Sequence, residues 1–341
     1  MVLTLGELLL RLSPPGHERF VQARQFEAEY GGSEANVAVA LSRWGMESVF
    51  ATKLPDNELG TAAANHLRRY GVDTSPTVWG GERLGKYFLE TGAAQRGSSV
   101  IYDRAGSSVT RLTPDELNLD DLLAEATWLH WSGITPALGE GPRRVVEAAC
   151  QAAQRAGTTV SCDLNYRGKL WSKAEAQQVM VPLMEPVDVC IAGRGDPFLV
   201  LGLDDPQEGP PTVDVDEKMY AQVAQTMKER FGFEAVALTL RESVSASMNA
   251  FSALLLDEAD CAEPYRSARY EMDLVDRVGG GDAFSAGLIY GLLDKEDSRE
   301  ALEFAVAASC LKHTIPGDAN LATLEEVEAL MSGTGGGGVS R

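Results

Sequence analysis

The sequence predicts an α/β chain built on a mostly parallel sheet with helices on both faces, carrying in addition a small β-sheet lid. Three observations predict it. From Trp128 onward short apolar runs alternate with amphipathic stretches, the order of a parallel sheet whose crossovers are helices. Arg83–Ser108 interrupts that texture with two short extended segments, Lys86–Glu90 and Ser99–Asp103, around a glycine-containing turn, which reads as a hairpin outside the main sheet. Finally, Val275–Gly291 (VDRVGGGDAFSAGLIYG) joins a strand end, a glycine turn, one carboxylate and an apolar helix, the way such folds present a ligand site at the carboxyl ends of strands.

Taken in order, Val2–Leu10 is an apolar run closed by Arg11 and Ser13–Gly16, and reads as one buried first strand. Arg11–Tyr30 is polar and aromatic without helical period; with the hairpin it makes the lid, a place for residues that close over substrate and exclude water. After Gly31-Gly32, the apolar positions Ala35, Val37, Ala38, Val39, Leu41 and Trp44 predict a helix whose N-terminus faces a ligand. Val49–Lys53 and Thr77–Trp79 are short strands around an amphipathic helix, Thr61–Tyr70, stopped by Gly71. Strands at Trp128–Trp131, Thr159–Asp163 and Val187–Ala192 alternate with helices at Pro142–Ala156 and Lys173–Met184. Gly202–Asp216, rich in Pro and acids, is a loop, and Val213–Phe231 contains a helix. Ala235–Leu240 is a strand, and Phe251–Asp257 and Tyr265–Val275 lead into the glycine stretch and the buried helix Ala283–Leu293. A last amphipathic helix, Arg299–His313, follows, and Gly333–Arg341 is a glycine-rich tail expected to be disordered.

Length and charge narrow the partners. At 341 residues the chain is long enough to bury a sizeable core. A formal charge of −20, from 50 acidic against 30 basic residues, argues against nucleic acid or an anionic membrane surface, so an anionic substrate needs a local basic pocket. No apolar run has the length of a spanning helix and Met1–Leu10 is strand-like from the start, which leads us to expect a cytoplasmic protein. The five cysteines stand singly, as reduced thiols do. The four histidines show no zinc-ligand spacing, and His130, between Trp128 and Trp131, is expected in the core.

Gly279, Gly280 and Gly281 can bring their N–H groups together as a nest where a helix begins, and Asp282 sits at that positive end. A carboxylate beside an anion cradle suits removal of a proton from a hydroxyl while an incoming group's charge is held by backbone donors, which is phosphoryl transfer to an alcohol. Asp is equally at home as an N-cap and glycines as a tight turn, and this stretch alone fits either reading. Other nucleotide chemistries are excluded: no GxxxxGK[ST] occurs, Gly193-Arg-Gly195 and Gly279-Gly-Gly281 lack the third glycine of the dinucleotide fingerprint, and no HRD or DFG is present.

Asp276-Arg-Val-Gly-Gly-Gly-Asp282-Ala-Phe284 resembles the D-x-x-G-A-G-D-x-F signature of the ribokinase-like (PfkB) carbohydrate kinases. Gly31-Gly32-x3-Asn36-x-Ala38-x2-Leu41-x2-Trp44-Gly45 is similar to their N-terminal signature, and the resemblance runs from the first strand to about Leu330. Tyr87-Phe-Leu-Glu90, Val100–Gly106, Asp163-Leu-Asn165-Tyr-Arg167, Thr239–Ser243 and Lys312–Asp318 resemble the 2-keto-3-deoxygluconate kinases within that family.

The resemblance implies a Rossmann-like kinase domain over residues 1–330, lid segments at about 11–30 and 83–108, a tail at 331–341, and a homodimer through the lid. It implies ATP and Mg²⁺, with Asp282 as the base and the backbone of Gly279, Gly280 and Gly281 as the anion hole. Sugar contacts are implied for Gly32, Asn36, Tyr87, Tyr102, Arg104 and Arg167, and ATP contacts for Asn165, Thr239 and Arg241. A sugar acid brings a carboxylate that Arg104, with Tyr102, and Arg167 are suited to receive, although Arg104 also fits a solvated hairpin charge and Arg167 a phosphate contact. Many relatives carry Asn and Glu where this chain has Gly193-Arg194-Gly195-Asp196, which leaves the metal ligands open and keeps a non-catalytic sensor as the reading from another class. Ser33 stands where an acidic residue often touches the sugar, so a kinase for the galacto epimer, fructose or ribose is the runner-up.

Overall fold

A computed structural model describes residues 1–205, 216–257, 263–295 and 297–334. The chain begins with β1 (Val2–Leu5), β2 (Leu9–Ser13), β3 (Glu27–Gly31), α1 (Ser33–Arg43), β4 (Ser48–Ala51), β5 (Lys53–Leu54), α2 (Glu58–Arg68) and β6 (Val78–Trp79). It continues through β7 (Lys86–Glu90), β8 (Ser99–Asp103), α3 (Leu119–Ala124), β9 (Trp128–Ser132), α4 (Ile134–Ala137), α5 (Glu140–Ala156), β10 (Thr159–Asp163) and α6 (Lys173–Leu183). Then come β11 (Val189–Gly193), α7 (Asp196–Leu199), α8 (Glu217–Phe231), β12 (Ala235–Ser243), β13 (Met248–Leu256), β14 (Tyr265–Arg266), β15 (Tyr270–Asp273), α9 (Gly280–Asp294), α10 (Ser298–Lys312) and α11 (Leu324–Met331).

The large sheet has the order β14-β13-β12-β11-β10-β9-β1-β4, with β15 also on β13. It is parallel from β4 to β12 and antiparallel beyond. Neighbouring residues of its strands feed opposite cores, as period-2 geometry requires. Leu3, Leu129 and Cys190 join α5, α6 and α8 on one face, while Val2, Trp128 and Val189 join α1, α9 and α10 on the other. From β1 the chain crosses to β4, and from β9 it proceeds the other way to β10, so the strand order reverses between β1 and β9. A crevice outside the carboxyl ends of strands at such a reversal is where open α/β sheets bind ligands.

The lid is a sheet of order β3-β2-β7-β8. It corrects the expectation of one first strand over Val2–Leu10: β1 belongs to the large sheet and β2 to the lid, with a break at Gly6-Glu7. At the break Gly6 lies against α1, where a Cβ would collide with the carboxylate of Glu34. The lid therefore starts at Leu9 rather than Arg11. Val49–Lys53 is likewise divided between β4 and β5, whereas β10 has its expected bounds. Short α3 and the C-terminal α11 add to the expected helices. A loop after β7 reaches across to the β12–β13 turn, where Ala246 N donates to Ala94 O at 2.8 Å and Ala94 N to Ser247 Oγ at 2.9 Å.

Helix ends show two styles. α2, α6, α8, α10 and α11 start on side-chain caps, Asn57, Ser172, Asp216, Asp297 and Thr323. α1 and α9 start instead on Gly32 and Gly279, without a side-chain cap. Cys150, Cys162, Cys190 and Cys310 are buried free thiols, and His130 is buried, its pKa pushed down to about 3 by desolvation. Cys261, most of the Gly202–Asp216 loop and the tail beyond 334 lie outside the described residues. Among the described residues no helix is long and apolar enough to cross a membrane.

Candidate active site

A cleft of about 810 Å³ lies at the strand-order reversal, between the carboxyl ends of the parallel strands and the lid. All the residues singled out from the sequence line it: Gly279, Gly280, Gly281 and Asp282; Gly32, Asn36, Tyr87, Tyr102, Arg104 and Arg167; Asn165, Thr239 and Arg241.

Its centre is Asp282, in the first turn of α9. Asn36 Nδ2, from α1, donates to Asp282 Oδ2 at 2.7 Å, and Ser33 Oγ donates to Oδ1 at 2.8 Å. Asn165 Nδ2 in turn donates to Ser33 Oγ at 3.1 Å, from a backbone held at φ +41° just after β10. Two uncapped helix starts thus converge on one carboxylate. Burial raises the pKa of Asp282, against the hydrogen bonds of Asn36 and Ser33 and the charge of Arg167, which favour its ionised form.

The three glycines are not equivalent. Gly279 has φ +81°, and a Cβ there would strike the carbonyl of Asp318. A Cβ on Gly280 would enter the imidazole of His313, so a side chain there requires that ring to move. Gly281 has open space where its Cβ would be and is exposed to the cleft. The N-terminus of α9 is accordingly a place where an anion meets backbone N–H groups and a helix dipole without side-chain obstruction.

Around it, charges of each sign are grouped. Burial, reinforced by the charges of Asp196 and Asp282, raises Asp163 well above the carboxylate range. Asp196, also raised by burial, accepts from Gly193 N at 2.8 Å and Tyr166 N at 3.3 Å, so it organises its own turn. Arg194 is directed to α8, with Nε 3.2 Å from Tyr220 Oη. Desolvation and then the charges of Arg277 and Arg167 lower the pKa of Arg241. Thr239 Oγ1 lies 3.4 Å from the Ala192 carbonyl. Arg277 escaped sequence reasoning although it stands inside the Asp276–Asp282 motif; Glu34, equally missed, accepts from Ser132 N, Ser132 Oγ and Thr135 Oγ1 at 2.7–2.9 Å and fastens α1 to the end of β9.

On the lid side the structure changes how two residues are read. Arg104 is buried, not a solvated hairpin charge, and its Nε donates to Glu7 at 2.8 Å while Nη2 makes a second bond to the same oxygen. Glu7 therefore compensates its charge, and the carboxylate-binding capacity left on Arg104 is Nη1. The Tyr87 hydroxyl donates to Asp318, leaving its ring, beside that of Tyr102, to face the cleft. Arg167 is exposed in the cleft, with Nη1 3.2 Å from the Tyr166 carbonyl.

Comparison with known proteins gives the family. The family model described as pfkB family carbohydrate kinase matches residues 1–324. The chain is 37% identical to a 2-dehydro-3-deoxygalactonokinase of Haloferax volcanii, covering 100% of this chain and 99% of that one. It is 30% identical to a 2-dehydro-3-deoxygluconokinase of Thermoproteus tenax, covering 93% and 89%. The crystal structure of a 2-dehydro-3-deoxygluconokinase from Thermotoga maritima superposes with a TM-score of 0.92 at 48% identity, covering 97% of this chain and 98% of that one. The chain therefore belongs to the pfkB family of carbohydrate kinases, phosphotransferases that act on an alcohol group.

Proposed function

We propose that the protein transfers the γ-phosphoryl group of ATP to the C6 hydroxyl of 2-keto-3-deoxygluconate, the 2-dehydro-3-deoxygluconate of its relatives' names, giving 2-keto-3-deoxy-6-phosphogluconate. The observation that carries the reading is Asp282 held by Asn36 and Ser33 at the open N-terminus of α9. The carboxylate takes the hydroxyl proton as the oxygen attacks phosphorus in line, and the N–H groups of Gly279–Gly281 receive the charge on the transferring group. Asn36 and Ser33 orient the base, and Asn165 fixes Ser33. Arg241 and Arg277 lie on the nucleotide side, where a triphosphate offsets the desolvation and then the repulsion by Arg277 and Arg167 that lower the pKa of Arg241.

Mg²⁺ fits the donor set through water. Among the described residues no cluster of at least three acidic, His or Cys groups would bind a metal directly, yet the charge of Asp196 adds to burial in raising the pKa of Asp163, and a cation held between the two would offset it. They would hold the hydrated ion, which when bound with ATP neutralises phosphate charge.

The acceptor reading rests on Arg167, on Nη1 of Arg104 and on the Tyr87–Tyr102 wall, groups suited to a sugar acid more than to a neutral sugar. The galacto epimer is the second reading, favoured by the 37% identity with the Haloferax volcanii enzyme. ADP release from MgATP with the gluco acid, its galacto epimer, fructose and ribose tests both. Turnover on the gluco acid above its epimer supports the proposal; preference for the epimer or a neutral sugar replaces the substrate. The lid segments also expose Val21, Phe26 and Ile101, which supports pairing of two copies through the lid, testable by sedimentation.

A further inference from the structure

The lid is bolted to the glycine turn. Arg11, on lid strand β2, is buried and points away from solvent. Its Nη2 lies 2.7 Å from Asp276 Oδ2 and its Nη1 2.7 Å from Asp318 Oδ1. Each carboxylate holds something else. Asp276 accepts from Val278 N at 3.1 Å, so it shapes the turn into Gly279, and from Gly317 N at 3.2 Å. Asp318 accepts from the Tyr87 hydroxyl of β7, while its carbonyl is the wall against which only glycine fits at 279. Val278 completes the contact by packing on the lid's apolar residues Leu9, Tyr87 and Leu89.

We propose that Arg11 is a positioning residue for phosphoryl transfer: through Asp276 and Asp318 it ties the placement of the Gly279–Gly281 N–H groups to the placement of the lid. Acceptor docking under the lid and completion of the anion cradle are then one event. A planar guanidinium is suited to this because it spans two carboxylates at a fixed separation, which a single ammonium does not. The stake is large, since misplacing catalytic groups by about 1 Å costs on the order of 10²-fold in rate.

The inference rests on the kinase reading, and its test has one arm that needs no acceptor. Arg11→Met and Arg11→Lys would be compared with wild type in the full chain by melting temperature, by amide hydrogen exchange, and by kinetics on whichever acceptor wild type uses. Arg11→Met is expected to speed exchange at 276–281 while the peptide over α5 keeps its wild-type rate. Its kcat is expected to fall about 10- to 100-fold with KM for MgATP within about threefold, a transition-state loss rather than a binding loss. Arg11→Lys should recover the melting temperature but not kcat, and is read alone if the Met variant does not fold. Wild-type exchange at 276–281, acceleration spread evenly over the chain, or wild-type kcat in a folded variant would each overturn the proposal. If wild type turns over no acceptor, the substrate reading fails while the exchange arm still decides the role of Arg11.

Discussion

Two clusters of charge flank Gly279, and they are built on opposite plans. Behind it, Arg11 bonds to both Asp276 and Asp318, and fully buried Lys312 donates to the Ile315 carbonyl at 3.1 Å. In front, Arg167, Arg241 and Arg277 share the cleft with Asp163, Asp196 and Asp282, and like charges there repel like. The rear cluster is complete without a ligand. The front one is relieved by a polyanion and its cation. Both hold buried charged groups, Asp163 in front and Arg11, Asp276 and Asp318 behind, so burial alone does not mark the site; grouping of like charges does.

The sharpest way to break the comparison is Asp282→Asn, which keeps the shape of the front cluster and removes the carboxylate proposed as the base. Turnover is expected to fall on the order of 10²- to 10⁴-fold with MgATP still bound, measured as ADP release and by nucleotide titration. Because burial raises the pKa of Asp282 and the base works deprotonated, kcat/KM of wild type should fall as pH drops through that raised value. A wild-type acid limb in Asp282→Asn would place the base elsewhere.

Gly279 and Gly281 test the wall between the clusters. Gly279→Ala meets both a positive φ and the Asp318 carbonyl, so denaturant unfolding should show a loss on the order of 1–3 kcal/mol along with lost turnover. Gly281→Ala meets open space; its stability should stay within about 0.5 kcal/mol while a methyl in the cradle slows turnover. Equal destabilisation by the two would erase the distinction. Removing one front cation, by Arg241→Met, should raise KM for MgATP about tenfold, worth about 1.4 kcal/mol, with little change in melting temperature.

The smallest effect on activity is expected at Glu34, whose pKa burial raises to about 7 against the hydrogen bonds of Thr135 and Ser132. The folded state then binds a proton that the unfolded state releases, so this residue's contribution to stability declines as pH rises from the ordinary glutamate value of 4.5 to about 7, by up to about 3 kcal/mol. Glu34→Gln keeps an accepting oxygen and should flatten that decline, as read by denaturant midpoints at pH 5 and pH 8.

Much of the front cluster was legible because its residues lie in short motifs: Asn36 one turn after a glycine pair, Asp282 after three glycines, Asn165 and Arg167 just past a strand. The rear cluster was not. Arg11 follows an apolar run and resembles a surface stop, and nothing local says that its partners are at 276 and 318. Arg104 lines the cleft, but its pairing with Glu7 joins residues 97 positions apart and removes much of the charge that the sequence suggests for it. The division of Val2–Leu10 between two sheets was hidden for the same reason, since β1 finds its partners in β4 and β9 while β2 finds its own in β3 and β7. Local pattern reports what a segment prefers; pairing across the fold decides which preferences are spent.

Gly280 and His313 share one volume. The imidazole occupies the space that a methyl on residue 280 would need, so a side chain at 280 requires the ring to move. What stands at 313 therefore sets the cost of a change at 280, and substitutions at the two positions are expected to be non-additive in stability.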